Sequence, residues 1–161
     1  MGEVLGCAVS GAEAVSREQW PERLKAGLDA LGIAYDPAAP ERLARYHQLL
    51  TEWNQVMNLT GDTDFETSLT RHSLESLAPL GLSGLFPEKA GLIDVGTGAG
   101  FPGLPLAIAR PDLDVVLMDS LQKRLNFLDA VVKELGLSNV RLCHARAEDG
   151  GRDPRWRETF D

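Results

Sequence analysis

Apolar residues recur along this chain with two different periods, and the change from one to the other falls near residue 88. Trp20, Leu24, Leu28 and Leu31 stand at helical spacing. They predict a first helix from Ser16, with Glu18 and Gln19 in its opening turn and Gly32 as its stop. Asp36-Pro37-Ala38-Ala39-Pro40 breaks the pattern, and Pro40 suits the first turn of a second helix. On that helix Leu43, Tyr46, Leu50, Trp53 and Met57 make one apolar stripe. After a loop at Asn58-Leu59-Thr60-Gly61-Asp62, either Asp62 or Asp64 can cap a third helix that runs to about Ala78. Pro79, Gly81, Ser83, Gly84 and Pro87 mark a linker.

Beyond the linker the apolar runs become short. Leu92-Ile93-Asp94-Val95 reads as a buried strand that feeds at once into a glycine run. A helix is predicted over 102–109, then a buried strand Val115-Val116-Leu117-Met118 closing in Asp119. The next helix, over 121–135, carries Leu121, Leu125, Leu128, Val132 and Leu135 on one face and stops at Gly136; a third strand spans 140–143. Helices first, then strand–helix–strand–helix–strand, predict an α/β fold: a Rossmann-like sheet of about three parallel strands behind a helical N-terminal cap. The expected divisions are a loose tail over 1–15, a helical region over 16–88 and a Rossmann-like domain over 89–161.

Composition adds limits. With 43% hydrophobic and 25% charged residues the chain has the make-up of a soluble globular protein. No apolar run approaches the roughly 20 residues that cross a bilayer. The first 16 residues lack the basic start of a signal peptide, so a cytoplasmic protein without membrane partners is expected. Cys7 and Cys143 are far apart, read as two reduced thiols, and offer no metal-ligand spacing; no metal is expected. The net charge of −8 is unevenly placed. Residues 1–119 hold 8 Lys/Arg against 17 Asp/Glu, a net of −9, whereas 120–161 hold 8 against 7, a net of +1. A polyanion would have to meet a local basic patch.

The glycine run carries the candidate chemistry. A strand passing through glycines into a helix gathers backbone N–H groups and the positive helix end around one point. NAD-type sites use G-x-G-x-x-G to seat a pyrophosphate there. Here Gly96, Gly98 and Gly100 spell G-x-G-x-G, and Asp94 sits two residues before the first glycine. That acid suits a ligand with a cationic amine and no phosphate, as S-adenosylmethionine is. Asp119 closes the second strand, where an acid can accept both ribose hydroxyls of an adenosine ligand.

The run Asp94-Val95-Gly96-Thr97-Gly98-Ala99-Gly100-Phe101-Pro102-Gly103-Leu104-Pro105-Leu106 closely resembles the signature of the bacterial 16S ribosomal RNA guanine-N7 methyltransferases, also called glucose-inhibited division protein B. The resemblance continues in Asp119-Ser120, Lys123-Arg124, Phe127-Leu128 and Arg146-Ala147-Glu148, and upstream in Trp53-Asn54, Met57-Asn58-Leu59-Thr60 and Arg71-His72. It covers roughly residues 40–161 and implies a class I methyltransferase sheet that binds S-adenosylmethionine and methylates N7 of a guanine in 16S rRNA of the small ribosomal subunit. Gly96, Phe101, Ala147 and Glu148 are its implied cofactor residues, the last two bordering the adenine. The residues themselves add Asp94, Gly98, Gly100 and Asp119.

Two departures stand out. Glu75 occupies a position where the family has Asp. The family also continues past Phe160-Asp161 into a further strand, so the chain resembles an N-terminal piece, expected to be a monomer and weakly active or inactive alone.

No catalytic residue is assigned, because guanine N7 loses no proton on methylation and needs no general base. Arg71, Lys123, Arg124 and Arg146 are the candidate RNA contacts, although Lys123 and Arg124 read singly as the solvated face of a helix. His72 is read as structural, and Trp20, Trp53 and Phe127 as core. Two rival readings are an NAD-linked Rossmann oxidoreductase and a non-catalytic RNA- or ribosome-binding module.

Overall fold

The computed structural model describes residues 15–61 and 64–161. Most of the tail expected over 1–15, and the alternative cap Asp62, lie outside the described residues.

Helix α1 (Trp20–Leu31) follows a short 3-10 turn in which Gln19 Oε1 accepts from the Ser16 N–H at 3.2 Å, and it ends at Gly32 as the pattern predicts. Trp20, Leu24 and Leu28 are its buried face. They pack on α2 (Ala39–Met57), which starts one residue before Pro40. Of the predicted stripe on α2, Leu43, Tyr46 and Leu50 are fully buried, while Trp53 and Met57 are half-buried at its C-terminal end.

The third helix departs from the expectation of one regular element. Asp64 caps α3 (Phe65–Thr67) by accepting from the Thr67 N–H at 2.9 Å, but Ser68–Leu74 then forms a π-helix before α4 (Glu75–Leu77) and a 3-10 turn over Ala78–Gly81. The wider π turn lets two neighbouring residues face inward together. Ser73 bonds the buried His47, and His72 lays its ring against Phe101 at 4.5 Å.

Strand β1 (Gly91–Val95), helix α5 (Gly103–Ala109), strand β2 (Asp114–Asp119), helix α6 (Gln122–Leu135) and strand β3 (Val140–His144) follow in the predicted order, with α7 (Ala147–Arg152) after them. The three strands form one parallel sheet in the order β1-β2-β3, with Ile93 opposite Val116 and Leu117 opposite Leu142. β2 is central and buried throughout after Asp114. β1 is only half-buried, unlike the buried strand predicted, because among the described residues it has a strand neighbour on one side only. At its other edge the Gly91 carbonyl accepts from the Asp161 N–H at 3.0 Å, and the Gly91 N–H donates to Asp161 Oδ2 at 2.8 Å.

Helices α5 and α6 lie on the strands, and α2 and α4 lie on those helices in turn. Val115 and Leu117 join the core on this face. Val116 and Met118 point the other way by strand alternation and are still buried; Gly150 of α7 comes so close that a Cβ there would stand 2.6 Å from Met118 Cε. On α6 the buried face is Leu125, Phe127, Leu128 and Val131, with Val132 and Leu135 at its margin. Leu121 falls off the predicted stripe and is 42% exposed, since it precedes the helix as its N-cap. Among the described residues no helix is long and apolar enough to cross a membrane.

Candidate functional site

β1 ends at Val95, and the chain turns at once over the end of β2. The Gly96 and Thr97 N–H groups both donate to the Met118 carbonyl, at 2.8 and 3.0 Å. Gly96 and Gly98 have φ of 73° and 62°, a left-handed backbone that glycine adopts without Cβ strain. A Cβ at Gly96 would meet nothing within 4 Å, and one at Gly98 only the Gly96 carbonyl at 4.0 Å, so both glycines border open space. Gly100, at φ 107°, is different: its Cβ would lie 2.7 Å from Leu104 Cδ1 and 2.9 Å from both Leu128 Cδ2 and the Tyr46 hydroxyl. Two glycines leave room outside the protein, and the third leaves room for the protein's own packing.

Asp94 and Asp119 fix the loop from beneath. Asp94 Oδ2 accepts from the Thr97 hydroxyl at 2.7 Å and from the Gly103 N–H at 2.9 Å. The carboxylate therefore caps the start of α5 in addition to standing before the glycines. Burial raises its pKa, the two hydrogen bonds oppose that shift, and the charge of Asp119 adds to it. Asp119 is 2% exposed, and both of its oxygens accept hydrogen bonds. Its Oδ1 accepts from the Leu121 N–H at 2.9 Å, and its Oδ2 accepts from the Gly98 N–H at 3.0 Å and from Arg124 Nη1 at 3.3 Å.

A cavity of about 420 Å³ opens at the carboxyl ends of all three strands, lined by Val95, Gly96, Asp119, Ser120, Arg124, Ala145, Arg146, Ala147 and Glu148. Ligands of open parallel sheets bind at this end. Of the cofactor residues expected from sequence, Gly96, Asp119, Ala147 and Glu148 line it directly. Gly98 joins through its bond to Asp119. Asp94, Gly100 and Phe101 are absent from the lining and support the loop from the protein side. Among the expected RNA contacts, Arg124 and Arg146 line the cavity, whereas Arg71 and Lys123 are exposed outside that lining.

Phe101 sits in an aromatic cluster, its ring 5.2 Å from Tyr46, 6.3 Å from His47 and 4.5 Å from His72. The Tyr46 hydroxyl donates to the Ala99 carbonyl. His47 Nε2 meets Ser73 Oγ at 2.6 Å; burial, with His72 nearby, pushes the His47 pKa down to about 3, so its ring is neutral. His72 stacks on Phe101, and its buried Nε2 has no hydrogen-bond partner among the described residues. Trp20 stacks on Phe65 at 4.4 Å, and Trp53 lies 5.7 Å from Phe127. The sequence reading missed Val95 and Ser120 as lining and Tyr46 as a loop contact. One signal was present for Tyr46: a hydroxyl inside an otherwise apolar stripe needs a buried acceptor.

The family described as rRNA small subunit methyltransferase G (GidB) matches residues 39–161, which takes in α2, the loop and the whole sheet. The chain belongs to this family. Curated ribosomal RNA small subunit methyltransferases G resemble it along most of its length. That of Clostridium perfringens (strain 13 / Type A) is 43% identical over 143 residues, covering 89% of this chain and 59% of that protein. The Lachnoclostridium phytofermentans protein is 47% identical over 137 residues, covering 84% of the chain and 55% of the relative. For Desulfitobacterium hafniense (strain Y51) the figures are 50% over 121 residues, 75% and 49%. This GidB-family chain thus spans about half to three fifths of the length of the relatives it matches.

Proposed function

We propose that the cavity holds S-adenosylmethionine, and that the whole protein methylates N7 of a guanine in 16S rRNA of the small ribosomal subunit. One observation carries the choice of cofactor. The N-terminus of α5, where a dinucleotide would seat its pyrophosphate, already receives the Asp94 carboxylate at the Gly103 N–H. A second anion there meets repulsion, whereas a cationic ligand in the adjoining cavity meets favourable charge. The open faces of Gly96 and Gly98 supply a cradle that any Cβ would begin to fill.

Gly96, Asp119, Ala147 and Glu148 would hold the adenosine part, with one Asp119 oxygen bonded only to the Leu121 N–H and so retaining acceptor capacity for a ribose hydroxyl. Asp94 would face the cationic end. The bound cofactor supplies a methyl group on a positively charged sulfur. Guanine N7, whose in-plane lone pair carries no proton, would receive that methyl group without the help of a base. No proton moves, so the chain's side chains serve to align, to exclude water and to balance charge. Lys123 and Arg146, both exposed, are the residues we assign to RNA phosphates, with Arg71 as a further contact. Arg124 is first of all the partner of Asp119.

The relatives' names support the substrate class, and the chain's share of their length is why the activity is assigned to the whole protein. A cytoplasmic, monomeric state without membrane partners is part of the same proposal. Calorimetric titration of this chain with S-adenosylhomocysteine and, separately, with NADH tests the site. Saturable binding of the first alone is expected. Binding of NADH, or of neither, overturns the assignment. Methyl transfer to 30S subunits by a chain of the relatives' full length tests the reaction, and the 161-residue chain alone is expected to give weak or no transfer.

A further inference from the structure

The cavity loop is held from two directions. On the sheet side the Gly96 and Thr97 N–H groups reach the Met118 carbonyl, and the Gly98 N–H reaches Asp119. On the opposite side stands α2, an element that contributes nothing to the cavity lining. Its Tyr46 is fully buried and donates its hydroxyl to the Ala99 carbonyl, 53 residues further along the chain. The same oxygen fills the space beside Gly100 that a side chain would otherwise need.

We propose that Tyr46 is a positioning residue for the loop: by holding the Ala99 carbonyl it keeps Gly96 on the cavity wall and the Gly98 N–H on Asp119 in the geometry the cofactor requires. The inference rests on reading the cavity as an S-adenosylmethionine site. Three features support it. The hydroxyl is out of water, so the backbone carbonyl it meets is worth more than a solvated acceptor. Burial, with the Asp94 charge adding to it, holds the tyrosine far above its ordinary pKa, so the oxygen keeps the proton it donates. The ring is itself fixed, packed against Phe101 at 5.2 Å and Phe127 at 6.3 Å, so the hydroxyl cannot follow the loop if the loop shifts.

Tyr46→Phe removes the hydroxyl and keeps the ring. Leu24→Val, a trim on the buried face of α1, lowers stability in an element that packs on α2. Amide spectra of the unliganded chains, thermal midpoints and S-adenosylhomocysteine affinity are compared. Tyr46→Phe is expected to move the Gly98 and Gly100 amide signals and to weaken affinity about tenfold. Leu24→Val should lower the midpoint while leaving loop signals and affinity as in the wild type. Unmoved loop signals with full affinity in Tyr46→Phe overturn the proposal, as does affinity that falls equally in both variants for equal loss of midpoint. If Tyr46→Phe does not fold, the wild type decides: a Tyr46 hydroxyl proton protected from exchange is expected, and its absence counts against the tether. A wild type that binds no S-adenosylhomocysteine removes the cofactor reading, while the loop signals still report whether Tyr46 fixes the loop.

Discussion

Asp94 serves the fold through one carboxylate oxygen, and its proposed role toward a cationic ligand can be tested separately. Its Oδ2 is committed to Thr97 and Gly103, and burial raises its pKa above that of an unfolded aspartate. The native state therefore binds this proton more tightly than the unfolded chain does. Native stability gains from Asp94 as pH falls through the native value toward 3.8, and loses that gain at neutral pH, where the buried group is charged. A cationic ligand favours the charged form, so affinity should fall as pH drops through the same window. Asp94→Asn keeps an acceptor for both internal donors and removes the charge. Its expected stability at pH 7 equals or exceeds that of the wild type, while S-adenosylhomocysteine affinity drops at least about tenfold, a change of roughly 1.4 kcal/mol. Full affinity in the variant, measured by calorimetry, would remove Asp94 from the ligand side of the site.

At the scale of elements, the glycine loop divides into an outward part and an inward part. Gly98→Ala meets strain of about 1–2 kcal/mol from its positive φ, with open space for its methyl, and disturbs the N–H that reaches Asp119. Gly100→Ala must also displace Leu104, Leu128 and the Tyr46 hydroxyl, adding roughly 1–3 kcal/mol of overpacking. Urea unfolding should rank Gly100→Ala as clearly the less stable, and calorimetry should find that Gly98→Ala loses affinity at little further cost in stability. The reverse ranking would refute this division. The sequence made all three glycines alike, because spacing reports which positions lack a Cβ and not what stands beside them. The three strands and both crossover helices were legible for the opposite reason: their apolar residues form local signals, continuous in β2 and α5 and periodic along α6. Regularity failed at Ser68–Leu74, where the π turn answers to His47 and Phe101, residues that no local window contains. Leu121 kept the period of α6 but fell outside its first turn, so a pattern of five shrank to fewer buried positions.

Over the whole molecule the net charge of −8 opposes any nucleic acid, and only the last quarter of the chain is locally basic. Arg124 is spent partly on Asp119, and Arg141 and Arg155 are paired with Asp114 and Asp153. Lys123 and Arg146 are accordingly the sharper test of RNA contact. Replacing both with Ala in a chain of the relatives' full length should weaken binding to 16S rRNA and lower the magnitude of the slope of log affinity against log salt by roughly 1–2. An unchanged slope would mean that the RNA is held elsewhere. The layered packing explains why the site was only partly readable. The sequence marked Gly96, Asp119, Ala147 and Glu148 near the strand ends and missed Val95 and Ser120 beside them, while Tyr46 of α2 reaches the loop across a long separation in the chain.

That separation gives the Tyr46 contact a temporal side. Translation delivers α2 well before the loop it braces, and before α5 and α6, the helices that cover its apolar face. At roughly 5–20 residues per second, α2 leaves the ribosome after α1 but seconds ahead of α5 and α6. The brace is thus made before the loop that depends on it, and has nothing to hold until the sheet arrives.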